Sequence, residues 1–405
     1  MGDDESSDEH RSRRLLLRNF LTIPECEELE FIHKSCGTVG YRENVFSTTL
    51  SHLIATNCHH LVVPFVSIRE RLKDKVEEFF GCEYELFVEF TGLISWARGS
   101  SIGWHSDDNR PYLKQREFTA VCYLNTYGKD FKGGLLHFQN GEPTTVIPMA
   151  GDVIMYTADS RNIHSVDEVN KGERLTLTIW FSRDRAHDED AKLISLLSDR
   201  WLNGSSNMPK LSLPIPASSS MYWFSPESAT QQQLGFDICF ARMHALGFDI
   251  YSSRPKSFFP SSSDILTEHL QVAKENELFE QEFVNILHAL QAVQFYRWKA
   301  SEFEDSLLHL GTDKIKRILE SQREEIRALK SLFINDYQLA EAVFGPITCD
   351  ENCVQAFNWS KFSAAISAFE DYTSRLQREF LMSLPYWRTE HIIYSVNSRD
   401  ETGKP

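Results

Sequence analysis

Two side chains that bind metals stand two residues apart in this sequence, at His105 and Asp107. Because side chains alternate between the two faces of a β-strand, residues two apart lie on the same face. A later histidine, His164, can complete a set of two imidazoles and one carboxylate. Such a set occupies one face of a ferrous ion and leaves the opposite face open for other ligands. The spacing therefore predicts a mononuclear iron site.

An arginine follows the distal histidine in a strand-like segment. Arg174 carries a planar guanidinium, which binds a carboxylate through two parallel hydrogen bonds. This geometry suits a cosubstrate with two carboxylates, one of which stays remote from the metal. Thr176 lies two residues further on the same predicted strand face and can add a hydroxyl donor. We therefore predict that Arg174 anchors an acidic co-reactant beside the metal.

An isolated His-x-Asp triplet is a weak signal in a chain with 14 histidines, because short motifs arise by chance. Here an ordered series of further segments accompanies it: LISWARGSSIGWHSD at 93–107, REFTAVCYLN at 116–125, FKGGLLHF at 131–138, PMAGDVIMY at 148–156, IHSV at 163–166 and GERLTLTIWF at 172–181. Over residues 85–183 this series resembles the prolyl hydroxylase catalytic domains of the 2-oxoglutarate/Fe(II) dioxygenase superfamily, in particular those of prolyl 3- and prolyl 4-hydroxylases.

The resemblance implies a double-stranded β-helix (jelly-roll) that binds Fe(II) and 2-oxoglutarate and uses molecular oxygen, with ascorbate as a reductant of the iron. It places Tyr123 near the carboxylate held by Arg174, although a strand tyrosine can also be simple packing. The implied function is hydroxylation of an amino-acid side chain, with proline favoured, in a protein or peptide. Two alternatives stay open: a dioxygenase acting on a small molecule, and a non-catalytic interaction protein that works through its helical C-terminal region.

Helix signals precede the motif region. Thr22 and Glu25 form a predicted capping box that starts a helix running to about Cys36. A second helix is predicted over 62–80, where apolar residues recur at helical spacing up to Gly81. Both should buttress a sheet. The period then changes to that of strands, which we predict at 85–96, 102–107, 117–126, 135–139, 143–148, 152–157, 162–166 and 174–182.

The whole chain is predicted as an α+β protein with an oxygenase core and a mostly α-helical C-terminal region. We divide it into an acidic disordered tail (1–14), the oxygenase domain (15–185), a helix and linker (186–233) and the helical region (234–405). Three apolar stripes, at 279–293, 315–333 and 362–380, predict amphipathic helices that pack as core. The pentapeptide LGFDI occurs at 234–238 and again at 246–250, which we interpret as coincidence or a helical turn.

The composition narrows the function classes. The formal net charge of −16 argues against a nucleic-acid partner, which favours a basic surface. No run of about 20 apolar residues predicts a membrane span, and the acidic start differs from the basic start of a signal peptide. Eight cysteines show no zinc-ligand spacing and are predicted to be free thiols. These observations predict a cytoplasmic or nuclear protein.

Overall fold

The computed structural model describes residues 13–35, 37–42, 44–55, 58–202 and 359–396, with the short pieces 222–223, 236–237, 243–245, 248–249, 294–295 and 298–299. Residues 1–12 of the predicted acidic tail lie outside the described residues. The apolar stripes at 279–293 and 315–333 also lie outside them. The third stripe, at 362–380, falls within a described helix.

Five helices are described: α1 Ile23–Ser35, α2 Leu50–Ala55, α3 Val63–Phe80, α4 Glu189–Leu202 and α5 Trp359–Glu390. The predicted capping box of α1 is confirmed, because the Glu25 amide donates to Thr22 Oγ1 and the Thr22 amide donates to Glu25 Oε2. The predicted end of α3 is also confirmed. Gly81 follows it with φ 66°, a left-handed conformation that favours glycine.

A nine-stranded sheet, the large sheet, forms the centre of the fold. In spatial order it contains β1 Arg14–Leu17, β10 Val153–Thr157, β6 Phe118–Tyr123, β13 Arg174–Ser182, β4 Phe87–Trp96, β3 Val45–Thr49, β2 Gly37–Arg42, β16 Met243–Ala245 and β17 Phe248–Asp249. All its pairings are antiparallel. Non-consecutive strands are neighbours at its centre, so residues far apart in sequence share one face.

A second, four-stranded sheet, the small sheet, is also antiparallel. Its spatial order is β5 Ile102–His105, β11 His164–Val166, β8 Leu136–Phe138 and β9 Thr145–Val146. Two further pairs complete the described strands: β7 Phe131–Gly133 with β12 Val169–Gly172, and β14 Tyr222–Trp223 with β15 Phe236–Asp237.

The structure corrects several sequence-based boundaries. The strand predicted at 102–107 ends at His105, because a turn follows in which the Asn109 amide donates to the Ser106 carbonyl oxygen. Strands β1, β2, β3, β7 and β12 were not predicted, since they are short and lack clear alternation. The helical-turn interpretation of LGFDI is wrong, because both copies contain a two-residue strand, at Phe236–Asp237 and Phe248–Asp249.

Side-chain alternation in the central strands separates the main hydrophobic core on one face of the large sheet from the cavity on the other face. On β13 Leu175, Leu177 and Ile179 are buried in the main core, while Arg174 and Thr176 point to the other face and line a cavity. The main core also contains apolar side chains of all five helices, among them Leu29, Leu53, Phe65, Leu72, Leu193, Phe380 and Trp387. The large sheet is thus covered by helices on one face and holds the cavity on the other.

Helix α5 packs into this same core although it lies far away in the sequence. The Tyr372 hydroxyl donates to Glu28 Oε1 on α1 over 2.9 Å, and the ring of Tyr372 lies edge-on to Phe31. Beyond α5, the Ile393 amide donates to Asp190 Oδ2 on α4 over 2.9 Å. Residues 359–396 therefore share one hydrophobic core with the other four helices and the large sheet. None of the helices in the described part of the chain combines the length and apolar character that crossing a bilayer requires.

Candidate active site

A cavity of about 650 Å³ opens at the large sheet and the small sheet. Its walls include the inward side chains of β13, the whole of β5 and the loop that follows β5. All three residues of the predicted metal set line it, and so do Arg174 and Thr176. Two sheets with alternating inward polar residues thus bring the predicted site residues to one place.

The predicted metal ligands converge. His105 and His164 are directly paired in the register of β5 and β11, and their ring centroids lie 4.3 Å apart. Asp107 Oδ1 lies 3.9 Å from His105 Nε2 and 3.8 Å from His164 Nε2. One ligand atom from each residue falls within 4.8 Å of the others, so the three can hold a single ion. Two imidazoles and one carboxylate are the donor set of non-haem Fe(II) sites.

Backbone carbonyl groups fix the orientation of both imidazoles. His105 Nδ1 lies 2.8 Å from the Gly103 carbonyl oxygen, and His164 Nδ1 lies 3.0 Å from the Asn162 carbonyl oxygen. A carbonyl oxygen only accepts hydrogen bonds, so each Nδ1 must carry the hydrogen. Each Nε2 then keeps its lone pair for a metal, as in established metal-binding histidines. Burial lowers the pKa of His164, which favours this neutral form.

The two oxygens of Asp107 have different surroundings. Oδ2 accepts hydrogen bonds from the Thr119 hydroxyl over 2.6 Å and from the Tyr156 hydroxyl over 3.2 Å, while Oδ1 faces the two histidines. Burial by itself raises the pKa of Asp107, but electrostatic attraction to the imidazoles of His164 and His105, together with the Thr119 hydrogen bond, outweighs it and lowers that pKa. Asp107 thus presents one anionic oxygen to the ion position.

Arg174 is a buried cation at the start of β13, with 3% of its surface exposed. Its Nη2 donates to the Tyr123 hydroxyl over 3.4 Å, and its guanidinium lies 5.1 Å from the centroid of that ring. Its Nε has no hydrogen-bond partner among the described residues. Because a buried charge is costly unless it is paired, this environment fits an anionic ligand such as a carboxylate.

The other two predicted cosubstrate residues lie beside Arg174. Tyr123 is fully buried and pairs in register with Thr176, which also lines the cavity. The Thr176 hydroxyl donates to the Ile94 carbonyl oxygen over 3.3 Å. In the free protein this hydroxyl hydrogen is therefore used within the sheet, and the donor role of Thr176 toward a cosubstrate stays a prediction.

Sequence reasoning missed Thr119 and Tyr156, the partners of Asp107. Tyr156 Oη also lies 3.4 Å from His164 Nε2, and burial raises its pKa well above the ordinary value. In the sequence each of these residues is a hydroxyl side chain within an otherwise mostly apolar strand segment. This pattern identifies them as partners of Asp107 only when the spatial order of β13, β6 and β10 is known.

A second buried arginine, also missed, lies at another wall of the cavity. The Arg116 guanidinium stacks on Trp180 with 3.5 Å to the ring centroid, and its Nε donates to Glu89 Oε1 over 3.2 Å. Arg116 Nη2 and Trp180 Nε1 are buried donors without a partner among the described residues. His137, in contrast, is satisfied outside the site by Thr145 and Asp167.

Comparison with known proteins agrees with this geometry. Residues 91–182 match the family model described as the 2OG-Fe(II) oxygenase superfamily. This region of the chain is therefore similar to that superfamily. The superfamily implies a double-stranded β-helix core, Fe(II) and 2-oxoglutarate. The antiparallel sheets and the His-Asp-His cluster are consistent with that implication.

Curated relatives of this region include an oxygenase domain-containing protein and a prolyl hydroxylase. The human 2-oxoglutarate and iron-dependent oxygenase domain-containing protein 3 is 36% identical over 85 residues, which cover 21% of this chain and 27% of the relative. Prolyl 3-hydroxylase 1 of Gallus gallus is 24% identical over 222 residues, which cover 44% of this chain and 30% of the relative. The chain thus spans less than a third of the length of either relative.

Among solved structures, the viral collagen prolyl hydroxylase of Paramecium Bursaria Chlorella virus-1 is 18% identical with a TM-score of 0.34. That match covers 42% of this chain and 96% of the viral protein.

Proposed function

We propose that this chain is an Fe(II)- and 2-oxoglutarate-dependent dioxygenase that hydroxylates a prolyl side chain in a polypeptide. The observation that carries the proposal is the convergence, in one cavity, of three metal-ligand atoms with the buried cation Arg174. Molecular oxygen is the second co-substrate. A dependence on ascorbate stays a prediction from the family resemblance.

In this proposal His105, Asp107 and His164 hold the iron, and Arg174 binds the remote carboxylate of 2-oxoglutarate, next to Tyr123. When bound, iron and 2-oxoglutarate supply the oxidising chemistry that converts an unactivated C–H bond into an alcohol. The chain's own contribution is positioning. Thr119 and Tyr156 orient Asp107, and two backbone carbonyl groups orient the imidazoles.

The likeness of the chain to prolyl 3-hydroxylase 1 supports a prolyl side chain of a polypeptide as the substrate. Arg116 and Trp180 line the cavity that holds the metal ligands, and the guanidinium stacks on the indole ring. This stacking gives one wall of the cavity a fixed surface against which a substrate can pack.

The proposal is tested by anaerobic titration of the full chain with Fe(II) and 2-oxoglutarate, followed by the visible charge-transfer absorption of the complex. We expect His164→Ala to abolish the absorption, because one ligand is lost. Arg174→Leu should keep metal binding but weaken 2-oxoglutarate binding by about 10- to 100-fold, the range for a lost charge-assisted hydrogen bond.

The matched control is His137→Ala, which removes a histidine of the small sheet that lies outside the cavity lining. It should leave both affinities unchanged. An unchanged absorption in His164→Ala, or an unchanged 2-oxoglutarate affinity in Arg174→Leu, would contradict the assignment.

A further inference from the structure

Strand β5 is the edge strand of the small sheet. Among the described strands it pairs only with β11, and its other edge pairs with none of them. An unpaired edge presents backbone N–H and C=O groups that can pair with another chain. Because β5 ends at His105, this free edge leads directly to a candidate metal ligand.

The side chains of β5 leave this region accessible. Gly103 is exposed, and a Cβ atom placed on it would meet no atom within 4 Å. Its neighbour Trp104 is 57% exposed, although large aromatic side chains are usually mostly covered. Both residues line the cavity, together with Tyr112 from the following loop. The strand therefore offers open backbone flanked by flat aromatic surfaces that can cover an extended chain.

The loop after β5 adds a cation at the same cavity. Lys114 is paired with Asp108 over 2.7 Å and Arg116 with Glu89 over 3.2 Å. Arg110 is exposed, lines the cavity and forms no ion pair with any residue that the structure describes. The Leu113 amide donates to the Arg110 carbonyl oxygen over 2.9 Å, which fixes the backbone beside this cation. Arg110 is thus complementary to a negatively charged group.

We propose that an extended segment of a partner polypeptide pairs with the free edge of β5, and that an acidic side chain of this segment binds Arg110. The inference rests on the proposed oxygenase function and names its substrate class. In a paired strand alternate side chains point to opposite faces, so one residue of the segment enters the cavity beside His105 while its neighbours remain outside. A small molecule without a peptide backbone would gain nothing from the free edge.

The test uses the full chain loaded with Ni(II) and 2-oxoglutarate, in which nickel replaces iron so that no turnover occurs. The probe is a synthetic peptide library with a central proline and flanking positions drawn from alanine, glutamate, glutamine and lysine. We expect the retained peptides to be enriched in glutamate at one side of the proline. Arg110→Gln should remove this enrichment and weaken the binding of acidic peptides by up to about fivefold, the range for an exposed ion pair.

A second measurement tests the strand edge with the unaltered protein. An N-methyl group on a backbone amide of a retained peptide removes a hydrogen-bond donor and blocks strand pairing at that amide. In an extended segment the amides that face β5 alternate with amides that point away from it. We expect methylation of the amides that face β5 to weaken binding by about tenfold, whereas methylation of the amides between them, which serves as the control, should leave binding unchanged.

Each outcome separates the two proposals. Loaded protein that retains no peptide, or peptides that bind equally well whichever backbone amide is methylated, overturns docking at β5 and leaves the oxygenase proposal intact. Retention without glutamate enrichment overturns the role of Arg110. Wild-type protein that binds neither Ni(II) nor 2-oxoglutarate overturns the proposed function, and the docking inference with it.

Discussion

The two oxygens of the Asp107 carboxylate have different roles: one is held in place by the protein, and the other faces the position of the metal ion. One oxygen is held by Thr119 and Tyr156, and the other faces two histidines. The sequence was sufficient to predict the ligands, because alternation and donor type are local properties. It was insufficient for the two hydroxyls, because they approach Asp107 only through the pairing of β10 with β6. Residue spacing in the sequence does not give the spatial order of strands, so contacts that depend on this order cannot be predicted from it.

At this scale we predict that Tyr156 positions Asp107. Tyr156→Phe removes one donor from Oδ2, so Asp107 becomes less restricted to binding through Oδ1 alone. We expect Co(II) affinity to fall by about tenfold, the lower end for a lost partner of a metal ligand, with 2-oxoglutarate affinity little changed. Absorption titration with Co(II) measures the affinity and reports a change in coordination number through band intensity.

Tyr123→Phe serves as the crossed control, because Tyr123 contacts Arg174 and is not a hydrogen-bond partner of Asp107. It should weaken 2-oxoglutarate binding and leave Co(II) affinity unchanged. The same Co(II) affinity and spectrum in Tyr156→Phe and wild type would show that Thr119 alone positions the carboxylate.

At the scale of elements, the long strands and the two capped helices were predictable, whereas the short segments were not. Strand β13 alternates between polar and apolar residues from Arg174 to Ile179, and α3 shows helical spacing with a terminal glycine. Helix α2 and the 3-10 turn His59–Val62 carry no such period. They are held by tertiary contacts, for example the hydrogen bond between His59 Nε2 and Gln377 on α5.

The same 3-10 turn gives a prediction about acid stability. Burial, with a smaller effect of the neighbouring His59, lowers the pKa of His60 from 6.5 to about 4. Because the folded-state pKa is depressed, the unfolded chain binds a proton at His60 at a higher pH than the folded protein does. The stability that comes from burying the neutral imidazole is therefore fully present above pH 6.5 and is lost as the pH falls through about 4. We therefore expect His60→Gln to reduce the loss of stability between pH 7 and pH 4.

Urea unfolding of both proteins at pH 8 and at steps down to pH 4 measures this effect. The difference between the two free energies of unfolding at pH 8 gives the packing effect of the substitution alone, since His60 is neutral at that pH in the folded protein and in the unfolded chain. Stability curves of wild type and variant that run parallel over the whole range would contradict the prediction.

At the scale of the whole molecule, the main finding beyond the sequence is the docking of α5 against α1. The apolar stripe at 362–380 predicted a helix correctly, but periodicity does not reveal which surface a helix covers. In the structure Phe369, Tyr372 and Phe380 enter the core that also contains Phe31. Complementary surfaces separated by hundreds of residues cannot be matched from one sequence.

This packing predicts that α5 stabilises the oxygenase core. Phe380 is 0% exposed, and its ring lies 4.7 Å from that of His59. We expect Phe380→Ala to lower the free energy of unfolding by about 3–5 kcal/mol, as for other buried aromatic truncations. The control on the same helix is Met382→Ala, at a position that is 55% exposed, which should change it by less than about 0.5 kcal/mol.

Chemical denaturation followed by tryptophan fluorescence measures both variants. Similar free energies for Phe380→Ala and wild type would indicate that α5 lies on the core without supporting it.

The position of α5 also has a consequence for biosynthesis. A ribosome releases the strands that carry the histidines long before it releases α5, because α5 follows them by well over a hundred residues. During that interval the ring of Phe31 lacks its contacts with Phe369 and Tyr372, and exposed apolar surface of this kind is bound by chaperones. Completion of the fold is therefore expected to occur only after translation has passed α5, and chains that terminate early should be targets of quality control.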